Sequence, residues 1–145
     1  MNNRDRTKKG ILSMIYGAND STISRIMNIS ETKINKIKKD LGIYDLKNRL
    51  EKEYDENGFV LNYYGRPITS NNNLVNYWIQ SSTVDYCSLA FLEYYSSNKF
   101  KPAYFIHDSM TIEVPANRIS EVKKLTTLKE SISQIKIPVE YSVIS

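Results

Sequence analysis

The amino end carries residues that could grip an anion and a flat ring together. Arg4, Lys8, Leu12 and Tyr16 recur every four residues, and Gly17 follows directly. On a helix each step of four advances a side chain by roughly 40°, so the four form a slowly drifting stripe. Two cations one turn apart suit a triphosphate, because arginine engages oxygens in pairs and lysine acts as a point charge. An aromatic two turns further on can stack on a base. An ordinary amphipathic helix with a basic edge has the same spacing. A second group lies in Tyr104–Ile112, around His107-Asp108-Ser109. Asp108, at a tight turn between two apolar strands, would be held at a sheet edge, which suits a divalent-metal ligand. Two-metal phosphoryl chemistry needs such a carboxylate, usually with a second one opposite. A turn aspartate that bonds its own backbone fits equally, and His107 fits a turn histidine. A third group pairs Gly65-Arg66 with Gln80-Ser81-Ser82. Amides and arginine can read minor-groove acceptors. The two serines also permit tight helix–sheet packing.

These groups need elements to position them. Residues 4–17 read as a helix with Ile11, Leu12, Met14 and Ile15 on one side and Gly17 as C-cap. Asp20 or Ser21 is expected to cap a short helix, and Ser30 a second one ending at Gly42. A further helix covers 43–56, and Gly58 breaks it. Phe59–Tyr64 and Pro67–Thr69 read as strands about the turn Tyr64-Gly65-Arg66. A long helix is expected over 73–97, then strands 102–107 and 110–114, a helix over 117–133 and a last strand over 137–144. Helices first, then strands with helices between them, indicate an α+β protein. Residues 21–42 also have the outline of a helix-turn-helix, with Lys33, Lys36, Lys38 and Lys39 available for phosphates.

A chain of 145 residues can bury a core but cannot hold a large enzyme with several lobes. Mean hydropathy is −0.46. No apolar run approaches the roughly 18 residues of a membrane span. The first ten residues are too polar for a signal peptide. One cysteine, Cys87, excludes an internal disulfide, and one histidine beside it argues against a structural zinc site. A cytoplasmic protein is expected, in the host cytoplasm if the gene belongs to a phage. Charge is uneven: residues 1–52 carry 12 Lys/Arg against 6 Asp/Glu, while 53–145 carry 8 against 10. A polyanion would therefore be met mainly by the first third.

The order of these segments resembles the family A DNA polymerases, the bacterial DNA polymerase I kind. RDRTKKGILSMIYG is similar to their nucleotide-binding fingers helix, and SRIMNIS to the segment after it. ENGFVLNYYGRPI resembles their Gly-Tyr-Val…Gly-Arg hairpin. NLVNYWIQSSTVDY resembles their Asn…Ile-Gln-Gly-Ser-Ala-Ala-Asp helix. YFIHDSMTIEVP with EVKKL resembles the catalytic His-Asp-Glu turn, its strand and the helix beyond, and IKIPVEYSV the final strand. The likeness covers nearly the whole chain, in order. It implies a helical fingers region, residues 1–57, followed by part of an antiparallel-sheet palm with flanking helices, residues 58–145.

The resemblance also implies roles. Arg4 and Lys8 would hold the incoming triphosphate, Leu12 would lie on the same nucleotide face, and Tyr16 would sit by the templating base with Gly17 giving it room. Arg66 and Gln80 would contact DNA near the nascent pair. Asp108 would be a catalytic ligand of Mg²⁺, with His107 beside the primer terminus. The implied reaction is attack of a primer 3′-hydroxyl on the α-phosphate of a dNTP, with two Mg²⁺ ions. Leu12 stands where the family has Phe or Tyr, and Ser109 replaces the Glu of His-Asp-Glu. At those points the chain resembles the phage-type single-subunit RNA polymerases instead. The segment from Gly17 to Gly58 is shorter than in the family. The strand bearing the family's other catalytic Asp would precede Arg4, and only three residues do. The expectation is the C-terminal piece of a split polymerase, with the second carboxylate on a separate N-terminal half. The initiator-like Met1 favours a separately encoded piece. The alternatives are part of an RNA polymerase, a helix-turn-helix DNA-binding module without catalysis, and a decayed polymerase remnant.

Overall fold

Short-range capping chemistry builds the first half. The computed structural model describes residues 3–144. Helix α1 (Asn3–Ile15) ends where Gly17 turns left-handed at φ 75°. Its last carbonyls are closed by Gly17 N–H to Met14 O (3.1 Å) and Ala18 N–H to Ser13 O (2.9 Å). These two bonds make a Schellman motif. Helix α2 (Asp20–Met27) is capped by Asn19, whose side-chain oxygen accepts from Thr22 N–H at 2.8 Å. The cap is thus one or two residues earlier than the expected Asp20 or Ser21, because Asp20 is drawn into an ion pair with Lys38. Ser30 caps helix α3 (Glu31–Asp40) as its sequence requires, accepting from Lys33 N–H. Helix α4 (Ile43–Asn57) stops at Gly58, which is left-handed.

Strands β1 (Val60–Leu61) and β2 (Pro67–Ile68) pair antiparallel and are shorter than the sequence suggests. Asn62 is the reason. It is 4% exposed, and its side-chain oxygen accepts from Tyr64 N–H (3.0 Å) and Arg66 N–H (2.8 Å). The side chain thereby takes up backbone donors that a longer ladder would use. Helix α5 (Leu74–Asn98) follows.

The chain groups into two compact units, one up to Ser82 and one from Thr83, so α5 contributes to both. The first unit has two apolar centres. Met14, Ile23 and Ile34 join α1, α2 and α3, with Ile11, Met27 and Ile37 around them. Leu50, Val60, Ile68, Leu74 and Val75 join α4, the β1–β2 pair and the start of α5. Ile23, Ile34 and Leu50 are fully buried. Each contributes about 2 kcal/mol through the area it removes from water.

In the second unit β3 (Lys101–Ile106) and β4 (Ser109–Glu113) form an antiparallel hairpin with a register shift between Pro102 and Tyr104. A 3-10 turn (Ala116–Arg118) leads into helix α6 (Ile119–Val122). Strands β5 (Thr127–Leu128) and β6 (Ile137–Pro138) then pair antiparallel. The helix expected over 117–133 therefore ends at Val122, and the strand expected over 137–144 covers two residues. A buried local turn and two long-range bonds override the helical spacing here. Glu130 is fully buried and accepts from Ser133 N–H (2.7 Å), Ile132 N–H and the Ser133 hydroxyl. The Tyr86 hydroxyl donates to Leu128 O (3.2 Å) or Ile135 O (2.5 Å), tying β5 and the segment before β6 to α5. β-branched Thr126 and Thr127 lower the helical preference of the same stretch. The protein is α+β, with helices and three small antiparallel sheets.

Candidate functional site

The exposed face of α1 is an open groove of about 340 Å³ lined by Asp5, Lys8, Lys9, Leu12, Ser13 and Tyr16. Three residues of the expected nucleotide-binding stripe, Lys8, Leu12 and Tyr16, line it. Arg4 lies one turn before Lys8 on the same helix, outside that lining, and Gly17 lies beyond the helix end. The groove is held at its Tyr16 end by α5. Gln80 Nε2 donates to the Tyr16 hydroxyl at 3.1 Å, and Asn73 Nδ2 donates to Tyr16 O at 2.9 Å. Both bonds join residues more than fifty positions apart. Neither ring position nor backbone of Tyr16 is left to the helix terminus alone.

Gln80 sits beside Ser81, and Ser81 O accepts from the Arg66 guanidinium at 3.1 Å. Asn62 Nδ2 reaches the Ser81 hydroxyl at 3.2 Å, and Tyr63 N–H donates to the Ser82 hydroxyl at 3.1 Å. The Gly65-Arg66 turn is thereby fastened to α5, with Gly65 at φ 83°. Trp78 Nε1 adds a bond to Leu61 O at 2.9 Å. So the structure brings together Tyr16, Gln80 and Arg66 along one stretch of α5. The two serines carry bonds from α5 to the turn, as close helix–sheet packing requires.

Asp108 lies elsewhere in the chain, in the second unit. Ile106 pairs with Ser109, so His107 and Asp108 alone make the connection of the β3–β4 hairpin. His107 takes a left-handed φ of 51°, and the Ser109 hydroxyl closes the turn on Ile106 O at 3.0 Å. All of β3 is exposed, and Tyr104 and Ile106 are each 53% exposed. Phe105 makes an edge-on contact with Phe91 of α5, centroids 5.9 Å apart. The Cys87 thiol is pushed above its ordinary range, first by burial and then by the negative charge of Asp108. Among the described residues no group of three or more His, Cys, Asp and Glu stands together to hold a metal. One carboxylate at the turn does not by itself fit a two-ion centre.

The helix-turn-helix segment spends part of its charge internally. Lys36 pairs with Asp40 at 2.8 Å, and Lys38 pairs with Asp20 while largely buried. Sequence reasoning also missed three residues. Asn73 reads only as a polar helix entry, Asn62 only as a strand residue and Gly10 only as a helical glycine. A Cβ on Gly10 would collide with Cγ and Sδ of Met27, so α1 and α2 touch where Gly10 stands. A glycine inside a helix is the one signal that marks such a site in advance.

Models of known protein families and curated proteins were compared with the chain, and none matches. No described helix is long and apolar enough to cross a membrane.

Proposed function

We propose that this chain is the C-terminal fingers and palm portion of a template-directed DNA polymerase. It contributes the dNTP-binding helix and one metal-binding carboxylate to a site completed by a partner chain. The observation that carries the reading is the face of α1: a groove lined by Lys8, Leu12 and Tyr16, with Tyr16 fixed by Gln80 and Asn73. A groove with cations at one end and a fixed aromatic at the other suits a nucleotide laid from phosphates to base. Arg4 and Lys8 bind the triphosphate, Leu12 lies along the sugar, and Gly17 leaves space beside the base. Arg66 and Gln80 face primer or template. Asp108 supplies one Mg²⁺ ligand, and the partner supplies the second carboxylate. Exposed β3 is the edge on which the partner's strand completes the palm. His107 lies beside the primer end.

Two measurements test this. A fluorescent dNTP titrated into the pure chain is expected to bind, and Arg4→Ala with Lys8→Ala is expected to weaken it about 10- to 100-fold through lost charge-assisted bonds. Primer extension is expected to be nil with the chain alone. It should appear with Mg²⁺ once the complementary half is added, and Asp108→Ala should reduce it by about 100-fold or more. Robust synthesis by the pure chain, or full activity of the Asp108→Ala complex, overturns the proposal. Running the extension with dNTPs and rNTPs side by side decides the sugar preference left open by Leu12 and Ser109.

A further inference from the structure

We infer that Arg6, Lys9 and Arg25 form a second anion site, separate from the dNTP-binding stripe, which takes the phosphodiester backbone of a nucleic-acid strand. The three line an open concavity of about 430 Å³ between α1 and α2, together with Ile26 and Asn28. No acid lines it. None of the three cations has a hydrogen-bond or ion-pair partner among the described residues. Lys36 and Lys38, in contrast, are neutralised by Asp40 and Asp20. Packing sets the convergence. Gly10 lets α2 approach until Met27 fills the space where a Cβ would be. Arg6 stands one turn before Gly10, Lys9 directly beside it, and Arg25 two residues before Met27.

Like charges gathered without a counter-charge repel, and a bound anion relieves that repulsion. The concavity is open, whereas sites for small ligands bury most of the ligand's surface. A polyanion that crosses the surface satisfies the cations without being enclosed. Two arginines can each engage phosphate oxygens in pairs, and Lys9, which also lines the α1 groove, adds a point charge. The inference does not depend on the polymerase reading, because it names a different ligand contact on different arginines.

The test uses a labelled single-stranded oligonucleotide and the whole chain, read by fluorescence anisotropy from 50 to 200 mM salt. Arg6→Gln with Arg25→Gln is expected to weaken binding about 10-fold and to lower the salt slope by about 1.4. The dNTP affinity of that variant should stay within about 2-fold, and circular dichroism should report an unchanged helix content. The same oligonucleotide with an uncharged methylphosphonate backbone should not bind. Unchanged oligonucleotide affinity and slope in the double variant overturn the inference. So does retained binding of the uncharged backbone. A loss confined to dNTP affinity also overturns it, since the phosphates recognised are then those of the free nucleotide. Absence of primer extension would sink the polymerase proposal and leave this result standing.

Discussion

The α1 face and the β3–β4 hairpin hold the two halves of the proposed chemistry in opposite ways. The α1 groove is backed by buried Met14, Ile23 and Ile34, and its aromatic is tied by two long-range bonds. The hairpin presents Asp108 at a two-residue turn, with Tyr104, Phe105 and Ile106 of β3 exposed and Met110 and Ile112 of β4 half-buried. A two-stranded hairpin is marginal in water unless a third strand or a helix supports it. Phe91 gives one such contact. The difference teaches that the α1 face is braced by long-range bonds, while Asp108 stands on a hairpin with one fully exposed strand. The proposed shared site would draw its rigid part from the first and its partner contact from the second.

Variants can break or sharpen this contrast. The largest effect belongs to Asp108→Ala, which should remove extension while leaving the urea midpoint of the isolated chain nearly unchanged. An exposed turn residue typically shifts stability by less than about 0.5 kcal/mol. A strong loss of stability would mean that Asp108 is a turn-former first. Next is Glu130→Ala. Losing a fully buried carboxylate that satisfies two backbone N–H groups and a hydroxyl should cost about 3 kcal/mol. Urea unfolding checks it, and a cost below the measurement error would free the second unit from dependence on that side chain.

Gly10→Leu should cost about 2 kcal/mol by forcing α1 away from Met27. It should also weaken oligonucleotide binding, because Arg6 and Arg25 separate. Smaller still is the Tyr16–Gln80 bond. A cycle of Tyr16→Phe and Gln80→Leu should give a coupling of about 0.5–1 kcal/mol in urea unfolding. Zero coupling would show that the groove does not need α5 at that end.

The smallest effect is alkaline. Burial, above all, raises both the Tyr86 hydroxyl and the Cys87 thiol. Between their unfolded and folded pKa values the folded chain holds more protons, so stability is present at neutral pH. It should decline as pH rises through roughly 8.5 to 10 and beyond. Cys87→Ala should remove the thiol's share of that decline in thermal midpoints measured against pH.

Much of the first unit was legible because its signals are local. Gly17, Gly42 and Gly58 end helices at the residues where they stand, and Ser30 caps α3. The turn at His107-Asp108 was legible for the same reason. The region after Val122 was not. Its helical spacing of apolar residues is real, yet the buried Glu130 carboxylate turns the backbone at Ile132 and Ser133, and Tyr86, more than forty positions away, takes the carbonyls of Leu128 and Ile135. The groove was half legible. Spacing marks Lys8, Leu12 and Tyr16 as one face, but nothing in it reveals Asn73.

The sequence by itself determined the helix ends marked by Gly17, Gly42 and Gly58, the α+β order and the stripe on α1, since caps, glycines and periodicity act within a few residues of where they occur. Only the tertiary structure decided what those elements meet. It joined Tyr16 to Asn73 and Gln80, clamped Arg66 onto Ser81, and paired Lys36 and Lys38 while leaving Arg6, Lys9 and Arg25 free. Such pairings depend on three-dimensional distance between residues far apart in the chain, and local propensity carries no record of that distance.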